Sequence, residues 1–311
     1  MGSRLLLLVA TALLCAGCRT TPRAAPRAVA PAATSIATPQ GARGTTPPSP
    51  PQRLPQVQRP AEPRPAAAAP LAAPVPAPAQ RVAVRDAVRP AWVFRAGVDL
   101  YSRYVWRGVL AVDDAVLQPS AMALYRGFSL NVWGNIDLGD ANGRAGEVSE
   151  VDITLAYTHR IRDAAAPVDL TFGAVYYTSP SDWFDDFAEV FFAVSADVLL
   201  QPKLSIYIGV LEIEDSIYAS LDCGHDVRLG CGTLQLAGGL GAGNHHLWEP
   251  LLQAPVNAFG EAYLQAGWAL RARAWTFTPS VKFSTLLDGD LRSAHVKNDL
   301  FIFGLRGFVR F

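Results

Sequence analysis

Charged side chains recur within apolar, alternating stretches of the C-terminal part of the chain. A charge between apolar neighbours needs water or an oppositely charged partner, so these residues could line a hydrated passage or pair across its interior. The candidate lining residues are Asp99, Arg107, Glu150, Asp152, Asp169, Asp197, Glu261, Arg271 and Lys282. Because carboxylates raise the local concentration of cations in a narrow lumen, we expect such a passage to favour cations.

Arg107 follows Trp106 in a connecting segment, from which its guanidinium could reach into such a passage. An arginine that folds inward would narrow the passage. An arginine that stays on the surface would instead pair with a loop acid such as Asp113 or Asp114. The sequence is compatible with both arrangements.

Two of the four cysteines, Cys223 and Cys231, bracket a predicted short connection over 224–230. Cysteines on either side of one turn in an oxidising compartment favour a disulfide, which we predict here. The alternative is a metal pair with His225, although two thiols and one histidine leave a tetrahedral site incomplete.

Other metal, cofactor or catalytic sites are not indicated. His245 and His246 are adjacent in a long connection without a third ligand, and the acidic segment 181–186 lacks the ordered spacing of a calcium loop. His159 has no serine nucleophile motif beside it, which a serine–histidine enzyme would need. We therefore predict no metal, no cofactor and no enzyme activity.

The candidate residues would be held by β-strands. Over 92–311 apolar and polar residues alternate with a period of two, as Val151, Ile153 and Leu155 do with their polar neighbours. The predicted strands are 93–101, 115–125, 128–138, 148–161, 168–177, 188–199, 204–212, 216–223, 232–241, 259–271, 275–286 and 299–311. Short and long connections alternate between them, except for the tight connection 213–215.

Two architectures contain many alternating strands. A soluble barrel or sandwich buries its apolar face in a core, whereas a transmembrane barrel turns that face to lipid and its polar face to the lumen. The even strand number, the alternation of turns and loops, the mid-strand charges and the final Phe311 favour the second. The aromatic residues expected at the membrane interfaces are Tyr125, Tyr157, Tyr176, Trp268 and Trp275. We predict an all-β fold, a transmembrane antiparallel up-and-down β-barrel of about twelve strands over 92–311.

The N-terminus carries a targeting signal. Leu5–Gly17 is an apolar run too short to span a bilayer comfortably, and small residues precede Cys18, as in a bacterial lipoprotein signal. We predict a signal peptide over 1–17 and lipidation of Cys18. Ordinary cleavage near Ala16 or Gly17, without a lipid, is the alternative.

Residues 18–91 contain no aromatic residue and are rich in Pro, Ala and Arg. Such a stretch buries too little apolar surface to fold, so we predict a disordered linker. The expected partner of the barrel is outer-membrane lipid, and the linker could touch the cell wall or a periplasmic protein. Acids outnumber bases over 92–311, which argues against a nucleic-acid partner.

Several short motifs occur in order along the chain. They are Ser102–Gly108 (S-R-Y-V-W-R-G), Ala115–Pro119, Asn131–Asp137, Glu150–Asp152, Tyr177 with Pro180, and Glu189. Together they resemble the motifs of the TorF family of proteobacterial outer-membrane porins. The resemblance covers about 95–240 by motif and the last three strands by pattern only. It implies an outer-membrane β-barrel that could serve as a diffusion channel, and it implies no catalytic residues.

We therefore expect a β-barrel in the bacterial outer membrane with its N-terminal arm in the periplasm. The expected function is that of a porin or diffusion channel for small solutes. The alternative is a non-conducting cell-envelope anchor or interaction protein with a periplasmic tether. The lumen distinguishes the two, because a pore needs a hydrated path whereas paired interior charges would close it.

Overall fold

Twelve antiparallel strands form one closed barrel in the computed structural model, which describes residues 92–162 and 165–311. The wall strands are β1 (Val93–Tyr101), β4 (Val116–Tyr125), β5 (Phe128–Asp137), β6 (Val148–Ile161), β7 (Val168–Thr178), β8 (Phe187–Ala196), β9 (Lys203–Leu211), β10 (Ile217–Leu229), β11 (Gly232–Gly243), β12 (Ala258–Ala272), β13 (Trp275–Leu286) and β14 (Asp299–Arg310). Each pairs with its neighbours in chain order, and β1 closes the ring against β14. The predicted barrel is confirmed. The predicted signal peptide, Cys18 and linker lie outside the described residues.

Two further strands, β2 (Tyr104–Trp106) and β3 (Val109–Val112), form a separate hairpin in the connection between β1 and β4. We call residues 104–112 the inner hairpin. The connection between β1 and β4 lies at the end of the barrel that has the longer connections, which we call the loop end. The opposite end, where turns such as 126–127 and 273–274 lie, is the short-turn end.

The outer face of the barrel is apolar. Phe172, Leu264 and Phe301 expose 53%, 69% and 57% of their surface, and outward residues on the other strands are similar in character. An apolar surface this extensive would be unfavourable in water and is what a bilayer-embedded barrel requires. None of the helices among the described residues is long and apolar enough to cross a bilayer.

Aromatic side chains cluster on the outer face toward the short-turn end. The rings of Trp92 and Tyr125 stack with centroids 4.6 Å apart, and those of Phe128 and Tyr157 lie 4.8 Å apart. Rings at this level suit the boundary between hydrocarbon and headgroups, because they combine apolar area with polar edges.

The hairpin of β10 and β11 corrects the predicted disulfide. Strand β10 continues to Leu229, so the predicted connection over 224–230 is strand except for its last residue. Cys223 pairs with Gly238 inside the sheet, while Cys231 lies in the turn, roughly 20 Å further along at the usual strand rise. A disulfide needs Cα atoms within about 7 Å, so the two cysteines are not joined to each other.

Two short helices at the loop end were not predicted. Helix α1 (His245–Leu252) begins at Asn244, whose side chain accepts a hydrogen bond from the Leu247 amide, and it buries Leu247 and Trp248. The long connection that contains His245 and His246 is therefore partly helical, and His246 is exposed. Helix α2 (Gly289–Ala294) is capped by Asp288. Both are too short for helical periodicity to show, and burial of a few apolar side chains holds them in place.

Candidate pore constriction

The inner hairpin turns tightly at its tip. Arg107 and Gly108 both have positive φ, 48° and 85°, which is the pattern of the two-residue turns that connect twisted strands. A Cβ on Gly108 would lie 2.8 Å from Leu286 Cδ2 and 3.1 Å from Glu261 Cβ. The tip therefore approaches the barrel wall so closely that only glycine fits without displacing a neighbour.

Arg107 reaches the far wall of the barrel. Its Nη1 and Nη2 donate to Glu189 Oε1 and Oε2 at 2.9 and 2.6 Å, and both side chains are almost completely buried. Tyr177 donates to the same carboxylate at 2.9 Å. Because the hairpin leaves the wall between β1 and β4, and Glu189 lies on β8 across the ring, the hairpin spans the lumen.

Aromatic rings surround the Arg107 guanidinium. Its Cζ lies 4.3 Å from the ring centroid of Trp106, 5.1 Å from that of Tyr207 and 4.3 Å from that of Tyr218. Guanidinium–ring contacts at these distances are favourable, particularly away from water. The arrangement matches the inward-folding alternative for Arg107. Asp113, the surface partner considered above, instead pairs with Arg103 and Lys297.

Residues on the two strands of the inner hairpin also contact the wall and the loop after α2. The Leu110 amide donates to His295 Nε2 at 2.9 Å, and the Tyr104 ring lies 5.7 Å from that of Trp133. Partial burial of His295, which lies in the loop after α2, lowers the pKa of its imidazole. The neutral ring is the form that can accept the amide hydrogen bond, so burial and hydrogen bond favour the same protonation state.

Apolar side chains fill the loop end around this hairpin. The buried set includes Trp106, Val109, Val112, Leu247, Trp248, Leu286 and Leu291. They come from the hairpin, both helices and the wall, so the loop end of the lumen is packed like a protein core.

The wall beneath the hairpin carries two of the predicted acids. Glu150 and Asp152 are completely buried on the lumen face of β6, and Tyr104 of the hairpin interacts with Glu150. Beside them Asn135 accepts from Gln118 at 2.9 Å and donates to Asp137 at 2.8 Å. The loop end therefore combines an apolar plug with a polar, acidic stretch of wall.

A second group joins β12 to β13. Glu261 accepts from Ser284 at 2.7 Å and pairs with Lys282 at 2.7 Å. The Lys282 ammonium also lies 4.4 Å from the Tyr263 ring centroid. The predicted lumen residues Glu261 and Lys282 are thus brought together as an ion pair.

The remaining candidates lie in two places: Asp99 is near the loop end of β1, and the others are at the short-turn end. Arg160 pairs with Asp169 at 3.3 Å and with Asp197 at 2.9 Å. Asp197 lies in the turn after β8 rather than within a strand, which corrects its predicted position. Asp99 faces the lumen on β1, with Tyr101 Oη 3.5 Å away, and Arg271 is exposed near the end of β12.

The most important partner of Arg107 was not among the predicted site residues. Glu189 lies in a stretch of apolar residues on β8, and this isolated mid-strand acid is the signal that could have indicated it. Tyr177, Tyr207 and Tyr218 gave no such signal, because tyrosine is common on either face of a strand. Within the described residues, no group of three or more His, Cys, Asp or Glu side chains is placed to hold a metal ion.

Comparison with known proteins finds similarity in shape only. No protein-family model matches the chain, and no curated protein matches it in sequence. An outer membrane channel from Pseudomonas putida F1 is 10% identical, covering 72% of this chain and 97% of that one, with a TM-score of 0.43. OmpF of Salmonella typhi, in a complex with daunomycin, is 9% identical, covering 71% and 97%, with a TM-score of 0.33. Acinetobacter baumannii Omp33 is 10% identical, covering 71% and 98%, with a TM-score of 0.33. Similarity at this level gives no argument about solute or activity, and membership of the TorF family stays a prediction.

Proposed function

We propose that the protein is a diffusion channel for small solutes in the bacterial outer membrane, closed in this conformation by the inner hairpin. The supporting observation is the change in exposure along the lumen. On β6, inward-facing Glu150 and Asp152 are completely buried, whereas Arg160 further down exposes 32% of its side chain. A polar lumen that is open to water at one end, and obstructed at the other by a segment outside the wall, suits a channel that opens when this segment moves.

A non-conducting anchor is the second candidate. It is favoured by the apolar packing of Trp106, Val109 and Val112, which resembles a permanent core more than a mobile gate. In either case we propose that the short-turn end and the N-terminal arm face the periplasm, with Cys18 lipidated. The start of β1 at the short-turn end supports this orientation.

A reversible lock on the inner hairpin tests the channel proposal. In a chain with Cys223→Ser and Cys231→Ser, the double substitution Gly108→Cys and Glu261→Cys would join the hairpin tip to β12. Cβ positions about 3 Å apart are close to the spacing of about 3.5–4.5 Å that a disulfide needs, and Gly108→Cys alone, which crowds Leu286 equally, is the matched control. Conductance is then measured in planar bilayers for the oxidised and the reduced protein.

If the protein is a gated channel, the reduced double-cysteine protein, here the unlocked chain, should conduct. Oxidation should remove at least ~90% of this current, and reduction should restore it. An anchor should be silent in both states, yet conduct once residues 104–112 are replaced by a short Gly-Ser turn. Silence of the unlocked chain together with conduction of this replacement would therefore reject the channel and support the anchor.

A further inference from the structure

We propose that Arg107 occupies a binding site for guanidinium-bearing solutes, and that such solutes compete with it for the far wall of the lumen. The site consists of Glu189, Tyr177, Tyr207 and Tyr218. Transport of these solutes through the barrel rests on the channel proposal. Their binding at this site does not.

The site belongs to the wall and not to the hairpin. Its residues come from four neighbouring strands, β7 to β10, and all face the lumen. The carboxylate offers both oxygens to one guanidinium, at 2.9 and 2.6 Å, in the two-pronged geometry that a single ammonium does not match. The rings of Tyr207 and Tyr218 supply favourable faces for a delocalised cation.

Neighbouring rings keep this wall in place. The Tyr177 ring stacks on Phe187 with centroids 4.0 Å apart, and Tyr207 lies 5.4 Å from Phe191. Because these contacts lie within the wall, the site should keep its shape when Arg107 departs. A site that is already shaped loses less entropy when it takes up a solute.

The surrounding charge favours a cationic solute. Glu150 and Asp152 are buried in the same end of the lumen as Glu189, and Glu261 lies near the hairpin tip. In the short-turn half, by contrast, the acids Asp169 and Asp197 share Arg160, and Arg95 lies opposite Arg310 between β1 and β14. The most acidic part of the lumen is thus the part in which Arg107 lies.

Arg107 acts as a competitor attached to its own binding site. A group held by a short segment has an effective concentration in the millimolar range or above, so a free solute must exceed this before it displaces the arginine. The unmodified protein should therefore bind guanidinium compounds weakly, and removal of the Arg107 side chain should make the site accessible.

The test is chemical complementation of Arg107→Ala in the full mature chain refolded in detergent. Methylguanidinium is titrated and tryptophan fluorescence is recorded, because Trp106 contacts the guanidinium in the structure. Methylurea, which has the same shape without the charge, is the matched control compound. Arg103→Ala is the matched control variant, because it removes an arginine beside the same hairpin and leaves the site filled.

Arg107→Ala should bind methylguanidinium at least ~10-fold more tightly than the unmodified chain or Arg103→Ala does, and should not respond to methylurea. Adding Glu189→Gln to Arg107→Ala should abolish the response. Equal responses to the two compounds, or binding that persists with Glu189→Gln, would overturn the proposal.

If Arg107→Ala does not fold, as judged by heat-modifiable gel mobility, the unmodified chain provides the measurement. Methylguanidinium should then accelerate hydrogen exchange of the inner hairpin more than equal concentrations of methylurea or KCl do, and equal acceleration would overturn the proposal.

Binding without conductance would leave the site intact and reject the channel. Conductance without binding would reject the site and leave the channel intact.

Discussion

Removal of the negative charge from Glu189 should release the inner hairpin. The substitution Glu189→Gln leaves the Arg107 guanidinium buried, 6% exposed, without a counter-charge. Breaking a buried, hydrogen-bonded ion pair on one side costs about 3–5 kcal/mol, because the remaining charge has lost its water as well as its partner. The hairpin can recover that water only by leaving the lumen, so the cost destabilises the closed state. At about 1.4 kcal/mol per factor of ten, even ~3 kcal/mol raises the released population on the order of 100-fold.

Hydrogen exchange of the hairpin amides measures this population. An isolated two-stranded hairpin is marginal in water, so release should expose the amides of residues 104–112, including that of Leu110, which now donates to His295 Nε2. We expect their protection to fall on the order of 100-fold in Glu189→Gln, while strand β13 keeps its protection.

The matched control is the double variant Arg107→Met with Glu189→Leu. It removes both charges and keeps apolar volume, and such replacements are often neutral or stabilising. Its hairpin should exchange within about tenfold of the unmodified protein. The reasoning is refuted if Glu189→Gln exchanges as slowly as the unmodified protein, or if the double variant exchanges as fast as Glu189→Gln.

Lowering the pH should loosen the hairpin, because burial lowers the pKa of His295 and release would return it to about 6.5. Hairpin protection, corrected for intrinsic exchange, should be constant above about pH 7.5 and should fall as the pH passes below 6.5; His295→Asn should remove this dependence. Peptide mapping of the non-reduced protein by mass spectrometry should find no peptide that joins Cys223 to Cys231, because the two are not joined to each other, and such a peptide would contradict this register. If the barrel conducts, reversal potentials in a KCl gradient should show cation preference at low salt, owing to the acidic loop end, and an anion preference would reject it. A chain that begins at Trp92 should refold in detergent with heat-modifiable mobility, because residues 18–91 have no aromatic residue to contribute to the barrel; failure to refold while the full mature chain succeeds would count against this.

The barrel could be predicted because its strands share one simple pattern. An apolar outer face and a polar inner face produce a period of two on strands such as β5, β6 and β13, and that period can be read without knowing any contact. The end of β10 was missed because its last residues carry polar and charged side chains on a strand that projects beyond the apolar belt. Alternation in the sequence identifies the part of a strand that faces lipid. It does not identify the part of the same strand that extends beyond the apolar belt.

The candidate site could be predicted only in part, because its central contact is not local. Arg107 and Glu189 are 82 residues apart, and no spacing rule connects the tip of one loop to a strand across the ring. The inner hairpin consists of strands of three and four residues, which are too short to show alternation. Arg107 was therefore recognised as a candidate and Glu189 was not, because their pairing depends on the closure of the whole barrel.

The pairing of β1 with β14, here the seam, closes the barrel and affects the order in which the strands come together during folding. It joins the two most distant wall strands in sequence, and the Phe303 amide donates to Ser102 Oγ across 201 positions. Contacts of such high sequence separation form late, because a long loop must first be closed. Until they form, both strand edges are available for pairing with another chain, so the folding protein needs protection at its edges. The inner hairpin follows β1 directly, and late closure of this seam would let it enter the lumen from the side while the ring is still open.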